Sequence, residues 1–168
     1  MRENSLEFTH FDQQGQAVMV DVSDKDSTQR MAMAEGYITV SPECFGKIMS
    51  GGVQKGDVLG VARIAGIMGA KKTAQLIPLC HILNLTGAAV DFETDPERCR
   101  IRAVCTVKCT GKTGVEMEAL TGVSAALLTV YDMCKAIDRR MEISGICLVH
   151  KEGGKSGVFD RDPGKVGQ

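Results

Sequence analysis

The sequence predicts an α+β fold, with strands and helices interspersed around an antiparallel hairpin. Three observations carry this. Ile101, Ala103, Cys105, Val107 and Cys109 alternate with Arg100, Arg102, Val104, Thr106 and Lys108, a period of two with one buried face. Leu120, Val123, Leu127, Val130, Cys134 and Ile137 recur at spacings of 3, 4, 3, 4 and 3, the period of an amphipathic helix. Breaks at Ser41-Pro42, Gly51-Gly52, Ile77-Pro78 and Asp95-Pro96 divide the chain into short segments of both kinds.

In chain order, residues 1 to about 18 are polar and aperiodic and read as a loose arm. Residues 36–40 read as a short strand. Ser41 as N-cap, Pro42 at N1 and Glu43 in the first turn start a short helix that Gly51-Gly52 ends. A longer helix is expected from Asp57 to about Gln75, since Ile77 precedes Pro78 and resists helix. Its apolar face is assigned to Val61, Ile64, Ala65 and Met68. Ala62, Ala65, Gly66, Gly69 and Ala70 make it small-sided, which tight helix–sheet packing explains better than close approach of a ligand. A hairpin follows, turning at Asp95-Pro96-Glu97. Then come a helix over about 119–139, a last strand over about 141–150 and a Gly-rich tail.

The chain has 168 residues, which suits one domain over 1–168 with flexible ends at about 1–18 and 158–168. Twenty Lys and Arg against 21 Asp and Glu give a net charge of −1, which argues against an extended nucleic-acid interface. No apolar run approaches a membrane span of about 20 residues, and the polar N-terminus resembles no targeting peptide. The expected location is the cytoplasm. Seven cysteines, an odd number with no Cys-x-x-Cys, fit free and mostly buried thiols in a reducing compartment. Zinc is the rival, through Cys80-His81 with Cys105 and Cys109, but no pair has knuckle spacing and no metal site is assigned.

Four polar stretches exceed what packing needs. Lys55-Gly56-Asp57 precedes the long helix, with Arg63, Lys71 and Lys72 along it; it suits phosphate or a simple turn and N-cap. Leu79-Cys80-His81 places a histidine among apolar residues, either as a core residue or as a group that reads substrate. Gly111-Lys112-Thr113-Gly114 and Gly154-Lys155-Ser156 tempt toward a P-loop. That motif needs Gly where Thr106 and Val149 stand. Glu116 and Glu118 share a face if their segment is extended; otherwise they complement a helix dipole. Asp132 and Lys135, at i and i+3 with Arg139 nearby, are either a surface ion pair or a proton-transfer pair.

Together KGDV (55–58), ARIAGI (62–67), LIPLCH (76–81), TGKTGVEMEALT (110–121) and YDMCKA (131–136) resemble the cyclic pyranopterin monophosphate synthase family of molybdenum cofactor biosynthesis. The resemblance runs from about Met19 to Gly157. It implies a ferredoxin-like antiparallel sheet with helices packed on it, and a hexamer of three dimers with sites at subunit boundaries. It also implies a lyase that converts 3′,8-cyclo-7,8-dihydroguanosine 5′-triphosphate to cyclic pyranopterin monophosphate and releases pyrophosphate. Residue by residue, it implies Asp132 and Lys135 as the catalytic pair. Leu79, Cys80, His81, Met117 and Glu118 become substrate contacts, and Lys55, Lys71 and Lys155 the cations for the triphosphate. Glu116 is assigned as partner of the base or of a lysine. No tightly bound cofactor is implied, and Mg²⁺ accompanying the triphosphate is left open. The sequence departs from the family at Ile82, where Pro usually follows the histidine. A non-catalytic purine nucleotide-binding module is the alternative, since it would keep the lysines without needing the acid–base constellation. A P-loop-like hydrolase is the third reading, and Thr106 and Val149 count against it.

Overall fold

The computed structural model describes residues 10–12, 14–51, 57–155 and 157–161. Its elements are β1 (Thr28–Thr39), α1 (Pro42–Met49), α2 (Val58–Lys71), α3 (Thr73–Leu76), β2 (Leu85–Asp95), β3 (Arg100–Gly111), α4 (Glu116–Cys134), β4 (Glu142–Glu152) and β5 (Phe159–Asp160). All strand pairs are antiparallel, in the order β2-β3-β1-β4-β5. The first four strands and their crossovers make the split βαββαβ of a ferredoxin-like sheet, and β5 extends one edge.

Parity sets the layers. On β3 the odd residues Ile101 to Cys109 are buried, as the alternation requires. They share a face with the even residues of β1, Ala32, Ala34, Gly36 and Ile38. Strand β1 starts at Thr28, eight residues before the expected strand. Its first three buried positions, Ala32, Ala34 and Gly36, are small, while Met31 and Met33 point to the open face, so its hydropathy hardly alternates there. Gly145, with φ +62, forms the bulge that lets β4 follow β1 past Gly36. Ile38, Ile101 and Leu127 are fully buried, each contributing about 1.5–3 kcal/mol by area.

Helix α2 corrects two expectations. Val61, Ile64 and Met68 are 44%, 65% and 43% exposed. The buried stripe is instead the small one, Ala62, Gly66 and Ala70, and it packs chiefly on α4 and on β2. A methyl built on Gly66 would lie 2.9 Å from the Gly122 carbonyl oxygen, and one on Gly122 would lie 2.5 Å from Cys105 Sγ. The seam therefore leaves no room for side chains. Helix α2 also stops at Lys71 rather than Gln75, because the buried Thr73 hydroxyl bonds back to the Ala70 carbonyl at 3.0 Å and α3 starts anew. The expected stop before Pro78 holds, with Ile77 extended at ψ 108.

Helix α4 runs from Glu116 to Cys134 rather than over 119–139. Glu116 and Glu118 complement its N-terminus, and Lys135 is its C-cap. Beyond it, Asp138 turns the chain by accepting the Ser41 N–H at 2.7 Å and the Arg140 N–H at 2.8 Å. Within the expected N-terminal arm, Phe11 and Ala17 pair in an antiparallel bridge, and the Asp12 N–H donates to the Gln16 carbonyl at 2.9 Å.

Candidate active site

Helix α4 carries the site at its N-terminal end. Its first turn, the Leu79–Leu83 segment and the stretch before β1 enclose a cavity of about 300 Å³. Leu79, Cys80, His81, Glu116, Met117 and Glu118 all line it, so two sequence-distant stretches meet there. Since the segment is helical, Glu116 and Glu118 do not share a face as they would in a strand. Glu116 turns to Lys151 on β4, whose Nζ lies 2.9 Å from Oε1. Glu118 turns inward and is only 5% exposed.

Burial holds the Glu118 carboxyl above the usual carboxylate range. Its own backbone N–H opposes this and Glu116 adds to it. No ion-pair partner reaches Glu118 among the described residues. Burial also pushes the Cys80 thiol up, with Glu118 adding to it, which disfavours its thiolate. Glu118→Gln should accordingly raise the melting temperature by a few degrees at neutral pH while impairing turnover. The sign follows from linkage. Below the ordinary carboxylate range the group is protonated in both states and costs nothing. As pH rises through that range toward the raised folded value, the burial penalty grows and then levels. Melting curves of both proteins from pH 4 to 8 check it; a gain that does not grow with pH would refute the buried-charge account.

A second cavity, of about 540 Å³, adjoins the first and shares Lys25, Thr113, Gly114 and Glu116 with it. Five cations line it, Lys25, Arg30, Lys112, Lys151 and Lys155, against the carboxylates Asp26, Glu116 and Glu152. Thr28 Oγ1 and Arg30 Nε in its wall are buried and have no hydrogen-bond partner among the described residues. Arg30 is anchored by Nη1 on the Gly153 carbonyl at 3.2 Å and by Nη2 on the Lys112 carbonyl at 3.4 Å. Such a cavity suits a polyanion.

Of the three lysines assigned to phosphate, Lys155 lines this cavity. Lys71 is exposed on the last turn of α2 and lines no described cavity, and Lys55 lies outside the described residues. Arg63 is used elsewhere, bonded to Asp91 at 3.0 Å and to the Val90 carbonyl at 2.6 Å. Arg30 and Lys151 were missed, although a signal existed. Arg30 has the parity of Ala32, Ala34 and Ile38, and Lys151 pairs with Ala32, so both are cations on the covered face of the sheet.

Asp132 and Lys135 form an ion pair of 2.6 Å at the other end of α4, with side chains 62% and 56% exposed. Fourteen residues separate Asp132 from Glu118, or about 21 Å of helix. Arg139 does not join the pair through any bond described; its carbonyl accepts the Tyr131 hydroxyl at 3.2 Å. Among the described residues no group of three or more His, Cys, Asp or Glu could hold a metal ion. Cys105 and Cys109 sit in the core, and burial pushes the Cys105 thiol up to about 12.

Ile82, beside His81, is 91% exposed, and among the described residues no backbone bond uses its N–H. Ile82→Pro therefore sacrifices no bond and biases His81 toward extended backbone. It should raise product formation with little change in melting temperature; unchanged or lower activity would show that the loop already holds His81.

The MoaC family profile matches residues 19–154. A protein named cyclic pyranopterin monophosphate synthase from Pelotomaculum thermopropionicum is 58% identical over 153 residues, covering 91% of this chain and 90% of its own. One of that name from Clostridium perfringens is 59% identical over 152 residues, 90% of this chain and 96% of its own. A third, from Chloroflexus aggregans, is 55% identical over 156 residues, 93% and 94% of the two chains. With most of its length matched by the profile and by relatives at this identity, the chain belongs to the MoaC family.

Proposed function

We propose that this chain is a cyclic pyranopterin monophosphate synthase, a lyase that acts on 3′,8-cyclo-7,8-dihydroguanosine 5′-triphosphate and releases pyrophosphate. The observation that carries the reading is the junction of two unlike cavities, one rich in cations and one holding His81 and a buried carboxyl. A triphosphate lies in the first, with any Mg²⁺ arriving on it as part of the substrate. The purine-derived end lies in the second. Closing the cyclic phosphate expels pyrophosphate, and Arg30, Lys112, Lys151 and Lys155 take up the charge of that leaving group. Glu118, whose affinity for a proton burial raises, and His81 serve proton transfers during ring rearrangement.

Asp132 and Lys135 are the remaining acid–base pair, and about 21 Å of helix is too far for them to serve the cavity of their own subunit. They serve a neighbour's cavity, which makes the enzyme an oligomer with shared sites, a hexamer of three dimers. The exposed stripe Val61, Ile64 and Met68, with Leu128 at 61% exposure on α4, supplies apolar surface for such contacts. Seven free cysteines fit a reducing cytoplasm, and among the described residues no helix is long and apolar enough to cross a membrane. Incubation with the cyclised triphosphate should yield pyrophosphate and the cyclic phosphate in equal amounts. Binding without pyrophosphate release would favour the non-catalytic nucleotide module.

A further inference from the structure

The stretch ahead of β1 is tied to the site by its backbone. The Val20 carbonyl accepts from His81 Nε2 at 2.8 Å, and the Ser23 carbonyl accepts from Lys112 Nζ at 2.6 Å. Between them Asp21 Oδ1 accepts the Ser23 N–H at 2.8 Å and the Ser23 hydroxyl at 2.6 Å, so the two carbonyls are parts of one turn. Val20 and Val22 line the smaller cavity with His81, whereas Lys112 lines the basic one.

A carbonyl oxygen has no hydrogen to give, so Nε2 must carry one in either charge state of His81. In the neutral ring Nδ1 is then bare, and among the described residues it has no partner. We propose that residues 20–23 are a positioning element for the reaction proposed above, a reading on which this inference rests. They select the Nε2–H tautomer of His81, leaving Nδ1 to accept a proton or hydrogen bond from substrate, and they link that choice to the phosphate cavity through Lys112. Lys112 keeps two ammonium hydrogens for phosphate while the third holds the turn. The segment thus ties the orientation of the imidazole to the cation next to the leaving group.

Imidazole ¹⁵N spectra of the full chain without substrate test this. The sequence has three histidines, so His81→Gln assigns the signals. The expected spectrum at alkaline pH shows His81 as a single Nε2–H tautomer. Lys112→Met, which removes no atom bonded to His81, should convert it to a mixture of tautomers and lower kcat at saturating substrate about tenfold. Lys112→Arg, which retains a donor for Ser23, should restore the single tautomer. An Nδ1–H ring in the unaltered chain, or a pure Nε2–H ring in Lys112→Met, would overturn the proposal. The spectra need no turnover, so a chain with the expected spectra that forms no product supports the positioning element and counts against the catalytic reading alone.

Discussion

Asp132→Asn and Lys135→Ala should each lower product formation by about 10²–10⁴-fold, the range of a lost acid or base. Their melting temperatures should stay near that of the unaltered protein. Both side chains are more than half exposed, and an exposed ion pair of this kind contributes only about 0–1 kcal/mol. A pair kept merely for stability would show the opposite pattern, a small thermal shift and near-normal turnover at saturating substrate. That outcome would remove the pair from the mechanism.

Mixing two inactive variants should restore activity. Lys135→Ala keeps an intact cavity, and Arg30→Ala keeps an intact Asp132–Lys135 pair. If sites form across a subunit boundary, co-refolded mixtures contain sites with the cavity of one variant and the pair of the other. Random pairing of equal amounts makes about one quarter of sites complete. Recovery should therefore approach about a quarter of normal activity from parents that are each nearly inert. No recovery in mixtures shown to exchange subunits would place the pair and the cavity in one chain's site and rule out the shared arrangement.

How much of this could be read beforehand depended on side-chain size. Strand β3 and helix α4 were legible because apolar residues recur along their buried faces at the period of a strand and of a helix. Most of β1 was not, since its covered positions hold Ala32, Ala34 and Gly36 while methionines face outward. The same inversion misled the reading of α2, where the exposed face carries the larger apolar groups and the seam with α4 admits only glycine and alanine. Both failures share one cause. Hydropathy reports how apolar a residue is, whereas close packing selects for small volume. At the site, Leu79 to His81 and Met117 with Glu118 were located through a family resemblance, and geometry brings them to one cavity. Arg30 and Lys151 escaped because each looks like an ordinary strand charge until register shows which face it occupies.

Helix α4 touches two jobs at once, with a cavity wall at its first turn and the Asp132–Lys135 pair at its last. In an assembly with shared sites, those ends belong to different reaction chambers, and the helix acts as a gauge rod between them. Its nineteen residues would then set the spacing between neighbouring chambers. The glycine seam with α2 clamps the rod at mid-length, so that it cannot slide without interpenetrating backbone. Inserting or deleting a single residue in α4 would shift one end by about 1.5 Å and rotate it by about 100°. Every chamber would then be misaligned together, however well each subunit folded. In such an assembly a change in the length of this helix would cost every site at once, whereas a change in a surrounding loop would stay local.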